Sequence, residues 1–226
     1  MFRTSSLTLA ALLTLTSLSM TAQGPAPGAA PGAGRGPGAP PPPPTAGAKL
    51  EVGEGSSATY RVTEQFVGVT FTNEAVGTTN LVSGSLTINP DGSVAPGSKL
   101  TVDLRGLKSD QDQRDGFIQN RTLETAKFPY AEFVPTKVTG LDKMIPMTGQ
   151  AGVSLTGNLT IHGVTKEVTF QGIATFNPRD SSVAGRAKTS LTFDEFGIAP
   201  PKIGRLASVD NKIDLELVYR FKRSMP

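Results

Sequence analysis

The stretch KIDLELVYRFK (212–222) decides the fold. Ile213, Leu215, Leu217, Tyr219 and Phe221 take every second position, while Lys212, Asp214, Glu216 and Arg220 occupy most of the others. Successive side chains of a strand point to opposite faces, so the pattern is a β-strand with one face in a core and the other in water. Only Val218 breaks it. The same alternation recurs in Leu100, Val102, Leu104; in Val153, Leu155, Leu159, Ile161; in Val168, Phe170, Ala174, Phe176; and in Ala187, Thr189, Leu191, Phe193. Upstream, Val82, Gly84, Leu86 and Ile88 form another run. Tyr60, Val62, Glu64 and Phe66 alternate too, but the parity switches at Val67, Val69 and Phe71, which predicts a bulge or bend near Phe66.

Turn signals separate these runs: Asn89-Pro90-Asp91-Gly92, His162-Gly163 and Asn177-Pro178-Arg179-Asp180. About eight strands joined mostly by hairpins make an all-β antiparallel domain. An inward face of Leu, Val, Ile and Phe fills the core of a two-sheet sandwich. In an eight-stranded barrel it surrounds a cavity wide enough for one apolar ligand. Periodicity alone is compatible with both. One short helix is expected within 112–124, with Asp112 capping its first turn, Phe117, Ile118 and Leu123 supplying apolar contacts, and Gly116 weakening it.

Outward from this region the composition changes. Residues 1–22 carry Arg3, the apolar run from Leu7 to Met20 and the small pair Thr21-Ala22, the layout of a cleaved signal peptide that sends the protein to the periplasm or out of the cell. The apolar run is shorter than the roughly 20 residues a membrane-spanning helix needs. Residues 23–48 form a Pro/Gly/Ala-rich linker: nine Pro, seven Gly and seven Ala lie between Gly24 and Ala48, and no large apolar side chain is there to build a core. Residues 49–226 are then one domain, large enough for a full barrel. With no cysteine, neither disulfides nor thiolate metal sites are available. The net charge of +3 owes two units to Arg3 and Arg35, so the domain is nearly neutral. No basic stripe marks a nucleic-acid binder.

Three segments carry a resemblance: LRGLKSDQDQRDGFIQNRTLETAKFPYAEFVPTKV (104–138), LTGNLTIHGVTKEVTF (155–170) and LTFDEFGI (191–198) with the strand after it. In this order they resemble the YceI-like family of exported lipid-binding proteins, over essentially all of 58–222. The first strands depart from the family's commoner form, which has a tryptophan and histidines there. This chain has no Trp, and its ATYRVTEQFVGVTFTNEAVG (58–77) resembles a branch with an Asn-Glu-Ala-Val-Gly element. The resemblance implies an antiparallel lipocalin-like β-barrel with a short helix near its mouth and, as ligand rather than cofactor, a polyisoprenoid or prenyl quinone in the lumen.

A prenyl chain offers methyl and methylene groups and almost no hydrogen-bonding capacity, so its site is a greasy tube. The candidates for its lining are inward positions on different strands: Phe66, Val69, Phe71, Phe133, Leu159, Ile161, Phe170, Phe176, Leu191, Phe193, Phe196 and Ile213. The alternative for each is ordinary packed core. Arg114, Arg121 and Lys127 are candidate counter-charges for a headgroup at the mouth, the alternative being salt bridges among Lys108, Asp110, Arg114 and Asp115. Glu64 lies among inward-parity residues and is either a polar handle on a headgroup or an outward residue beside the bulge. An apolar cargo admits transient contact with a membrane, and the sequence favours neither monomer nor homodimer.

Catalysis and metal binding find no support. His162, on a hairpin turn, is the only histidine, and no GxSxG or HExxH spacing occurs. A calcium loop starting at Asp110 fails, because Asp115 stands where glycine is required and Arg121 where a bidentate acid should sit. The expectation is a binding protein and not an enzyme. The rival is an envelope protein with a packed interior that acts through its surface or its linker.

Overall fold

The structure, a computed structural model, describes residues 48–141, 146 and 148–224. The signal peptide and, but for Ala48, the linker lie outside the described residues. Ala48 already belongs to the first strand, one residue before the boundary that composition suggests.

Among the described residues ten strand segments occur in chain order: β1 (Ala48–Val52), β2 (Ser57–Phe66), β3 (Asn73–Thr79), β4 (Val82–Ile88), β5 (Lys99–Asp103), β6 (Tyr130–Thr139), β7 (Gly149–Ile161), β8 (Val164–Asn177), β9 (Ser182–Thr192) and β10 (Leu206–Ser224). They make eight staves. The 19-residue β10 pairs along one edge with β1, through Val52↔Phe221, and with β2, through Val62↔Ile213, so β1 and β2 are one stave interrupted at Gly53–Gly55. Likewise β4 pairs with β1 and β3 with β2, making a second broken stave. The remaining strands follow in sequence order, and the β1–β10 ladder closes the ring. The alternative of a two-sheet sandwich is therefore settled in favour of a closed antiparallel barrel. Closure leaves only a short stretch of free edge.

The parity switch after Phe66 is the bend of the two expected alternatives and not a bulge of β2. The strand ends there, and residues 67–72 form the β2–β3 loop. The ladder is irregular on the facing strand, where β10 advances from Val209 to Ile213 while β2 moves only from Glu64 to Val62.

The β7–β8 hairpin turns on two residues. His162 and Gly163 have φ of 52° and 78°, the double positive φ of a tight hairpin turn, with His in a place where Asn is the commoner choice. Gly77 has a different task. A Cβ there would lie 2.3 Å from the Tyr60 ring, so its absence lets Tyr60 lie over β3.

Between β5 and β6 the chain forms a strap, residues 104–129, containing helix α1 (Asp112–Phe117), a π-turn (Ile118–Thr122) and a short 3-10 turn (Leu104–Gly106). The helix ends where Gly116 weakens it. Asp112 does not cap it. Gln111 holds the cap position without a side-chain bond, and the buried Asp115 reaches back to accept from the Ser109 N–H at 2.8 Å. Part of the wall consists of this strap. The edge of β3 away from β2 pairs with Lys108, whose N–H and C=O bond to Thr78 at 2.9 and 2.8 Å.

Candidate functional site

Inward side chains do not fill the barrel. They enclose a cavity of about 250 Å³ to which every stave contributes. A buried water needs on the order of 10–15 Å³ on a comparable scale, so this is room for a chain-like molecule. On β7 the lining runs from Val153 to Ile161, about 26 Å of strand at ~3.3 Å per residue. The walls are almost wholly apolar: Leu50 and Leu86 from the first staves, Phe133 from β6, Phe176 from β8, Leu191 from β9, and Ile213 and Phe221 from β10. Phe133 and Phe170 meet edge to face with centroids 5.2 Å apart, on the strands either side of β7.

Polar groups gather at one end, beneath the strap. Glu64 is buried and lines the cavity, so the parity of β2 directs it inward. Its Oε1 accepts from Arg114 Nη2 at 2.8 Å, with side-chain exposures of 7% and 10%. The other guanidinium nitrogen, Nη1, contacts the exposed carboxylate of Asp110, one turn earlier. Two carboxylates thus share one guanidinium. Tyr60 and Thr122 line the same region, and the Thr122 hydroxyl is buried without a hydrogen-bond partner among the described residues. Burial pushes the Tyr60 phenol up to about 12, against the pull of the Arg114 charge.

The strap is pinned across the barrel end. Lys108 reaches Asp115 at 3.5 Å and Asp112 at 3.8 Å. Gln119 donates to the carbonyls of Arg105 and Leu107. On the far side His162 Nε2 lies 2.8 Å from Glu124 Oε2, and its ring packs 4.6 Å from that of Phe128. Glu124 and His162 both have positive φ, 46° and 52°, so each end of this contact holds a disfavoured backbone conformation.

Nine of the twelve lining candidates surround the cavity: Phe133, Leu159, Ile161, Phe170, Phe176, Leu191, Phe193, Phe196 and Ile213. Phe66, Val69 and Phe71 do not. Phe66 is half-buried at the end of β2, while Val69 and Phe71 sit in the β2–β3 loop, with Phe71 67% exposed. Their alternation belongs to a loop and not to a strand. Of the three cations, Arg114 lines the cavity but is occupied by Glu64 and Asp110. Arg121 and Lys127 are exposed and outside the lining, and Lys127 lies 4.8 Å over the Phe128 ring. The salt bridges expected among Lys108, Asp110, Arg114 and Asp115 are present, with Glu64 as an additional partner. Sequence reading missed Tyr60 and Thr122 as lining residues. Tyr60 shares the parity of Val62, which was the available signal; Thr122 had none. Among the described residues no three carboxylate or imidazole groups gather as metal ligands.

The architecture has relatives in solved structures. A polyisoprenoid-binding domain from Saccharophagus degradans, implicated in plant cell wall breakdown, superposes with a TM-score of 0.59 at 13% identity over 79% of this chain and 99% of that one. BcnA of Burkholderia cenocepacia gives 0.53 at 17% identity over 73% and 95%. At such identities the likeness is one of fold. By sequence, a UPF0312 protein of Pseudomonas putida strain W619 is 39% identical over 120 residues, 49% of this chain and 58% of that protein. One from Pseudomonas fluorescens strain SBW25 is 40% identical over 128 residues, 53% and 62%. The aligned region spans less than two thirds of the length of these relatives. The YceI-like domain model matches residues 53–221, from the end of the first strand to the last large aromatic of β10, and the chain belongs to the YceI-like family.

Proposed function

We propose that this protein binds and carries a long apolar molecule, a polyisoprenoid or prenyl quinone, within its barrel. The observation that carries this reading is the cavity walled by apolar side chains from every stave, with the buried Glu64–Arg114 pair in its lining. Leaving about 250 Å³ of such space unfilled would forfeit on the order of 6 kcal/mol at ~24 cal/mol per Å³. That is comparable to the whole stability of a typical domain. An apolar occupant returns part of it through burial and dispersion. The Saccharophagus degradans domain of the same fold is a polyisoprenoid-binding domain, which agrees in chemistry with such a chamber.

The polar end argues for an uncharged headgroup. Arg114 is already shared by two carboxylates, so a phosphate would meet a site with more negative than positive charge. A quinone or an alcohol brings no further negative charge to this end. The apolar run at 7–20 fits action outside the cytoplasm, in the periplasm or beyond the cell, with residues 23–48 as a tether.

Native mass spectrometry of the purified protein, followed by organic extraction, tests the reading. The expected result is a co-purifying apolar molecule, or uptake of added prenyl quinone and prenyl alcohol in preference to prenyl phosphate. Recovery of nothing, with no uptake of any of the three, would overturn it.

A further inference from the structure

The β2–β3 loop, VGVTFT (67–72), exposes apolar side chains that the fold does not need. Val67 is 68% exposed and Phe71 67%, and the loop bears no charge. Its shape is fixed by the bond from Val69 N–H to Phe66 C=O at 3.2 Å and that from Gln65 Nε2 to Val69 C=O at 3.3 Å. Beside it runs the β9–β10 connection, joined to it where Val67 N–H donates to Arg205 C=O at 2.9 Å. Its second half, IAPPKIGR (198–205), contains Lys202 and Arg205 and no acid; the acids of the first half are engaged near β9, Asp194 accepting from Asn211 and Glu195 from the N–H and hydroxyl of Thr192. Both cations are exposed and without an ion-pair partner among the described residues. The same connection turns Ile198, Pro201 and Ile203 into the cavity. Exposed apolar tip, free positive charge and cavity lining are therefore continuous.

We infer that these two loops dock the barrel on an anionic lipid bilayer, with Val67 and Phe71 entering the interface and Lys202 and Arg205 meeting lipid phosphates. A folded protein partner fits less well. Two projecting side chains fall far short of the roughly 800 Å² per partner that a stable protein interface buries. Shallow apolar insertion combined with basic residues is sufficient for reversible membrane binding. Through Ile198, Pro201 and Ile203, docking would hold the end of the cavity against the lipid from which the cargo is drawn. The role of the surface in cargo transfer rests on the carrier reading above, whereas docking itself does not.

Flotation with phosphatidylglycerol–phosphatidylcholine vesicles and with pure phosphatidylcholine vesicles tests the inference, using the wild type, V67S/F71S and K202Q/R205Q. Exposed loop positions allow these changes without loss of fold, which circular dichroism verifies. The wild type is expected to float with the anionic vesicles and to be released by salt. Each lost cation should weaken that binding about fivefold, and V67S/F71S should weaken it about tenfold or more. Uptake of a prenyl quinone from dilute ethanol, without vesicles, is measured in parallel and should be unchanged in both variants. A wild type that loads quinone but never floats, or variants that float as the wild type does, overturns the docking surface and leaves the carrier reading standing. A wild type that floats, loses binding in both variants and never loads quinone supports the surface and overturns the carrier reading.

Discussion

Replacing Arg114 by methionine should destabilise the protein more than replacing its partner Glu64 by glutamine. The reason is an asymmetry in the ion pair. Arg114 holds two carboxylates, and one of them, Asp110, is 71% exposed, so Glu64→Gln leaves the guanidinium with a charged partner near water. Glu64 has no second side-chain partner among the described residues, so Arg114→Met strands a carboxylate that is 7% exposed. Breaking a buried pair in this way costs about 3–5 kcal/mol. The Gln variant keeps a hydrogen-bonding group opposite Arg114 and should cost about 1–2 kcal/mol. Removing both charges, in E64L/R114M, should return stability close to the wild type, because apolar replacements of buried pairs are commonly neutral or better. Urea unfolding of the wild type, E64L, R114M and E64L/R114M, compared at equal m-value and with E64Q measured beside them, forms a double-mutant cycle with an expected coupling of about 3 kcal/mol. An Arg114→Met cost below about 1 kcal/mol, or a double variant no better than R114M, would refute the asymmetry argument.

Ala174→Phe adds a ring where the wall faces the cavity, so it should keep or raise the unfolding midpoint while abolishing quinone uptake; a packed site would instead lose about 1–3 kcal/mol from overpacking. Phe196, 1% exposed on the turn after β9, should cost about 3–5 kcal/mol as Phe196→Ala, read by urea unfolding. Acid should weaken the fold only below about pH 4: hydrogen bonds from Arg105 hold Asp103, and those from Lys212 and Ser190 hold Asp214, below the usual carboxylate range, so their contribution is present above the unfolded value and lost as pH falls through the folded one. In alkali the sign reverses, because burial raises the Tyr60 and Tyr219 phenols to about 12, and stability should decline between about pH 10 and 12 as the unfolded chain ionises first, which unfolding midpoints across that range would show.

The walls of the barrel were legible because burial on one face leaves period-two alternation in β7, β8 and β10, where most inward residues are large, and at the Leu191 end of β9. The β3 stave was not, because its inward residues Ala75, Gly77 and Thr79 are small, and Tyr60 from the neighbouring strand occupies the room that Gly77 leaves. Val67, Val69 and Phe71 misled for the opposite reason. Alternation measures apolar spacing, and an exposed apolar loop has the same spacing as a strand. Closure could not be read from the alternation and came only from the family resemblance, since it rests on β1 meeting β10 at opposite ends of the domain. The polar end was half legible. Parity aims Glu64 inward, but its partner lies fifty residues away on a short helix, and only the folded chain brings them together.

That ion pair is hard to explain by stability. Two charges taken out of water regain their hydration cost only with good geometry, and an apolar pair of similar volume would do as well or better. A fully apolar tube, however, would accept a chain in either direction and would stop it nowhere. A charged pair at one end makes the two ends of the chamber inequivalent: a methyl terminus is disfavoured there, and a group able to hydrogen bond is favoured. The cost of burying Glu64 and Arg114 is then set against direction of binding and not against unfolding. On the carrier reading this explains why the polar cluster sits beneath the strap, the one part of the wall whose junction with β3 is a two-bond contact and not a full strand ladder.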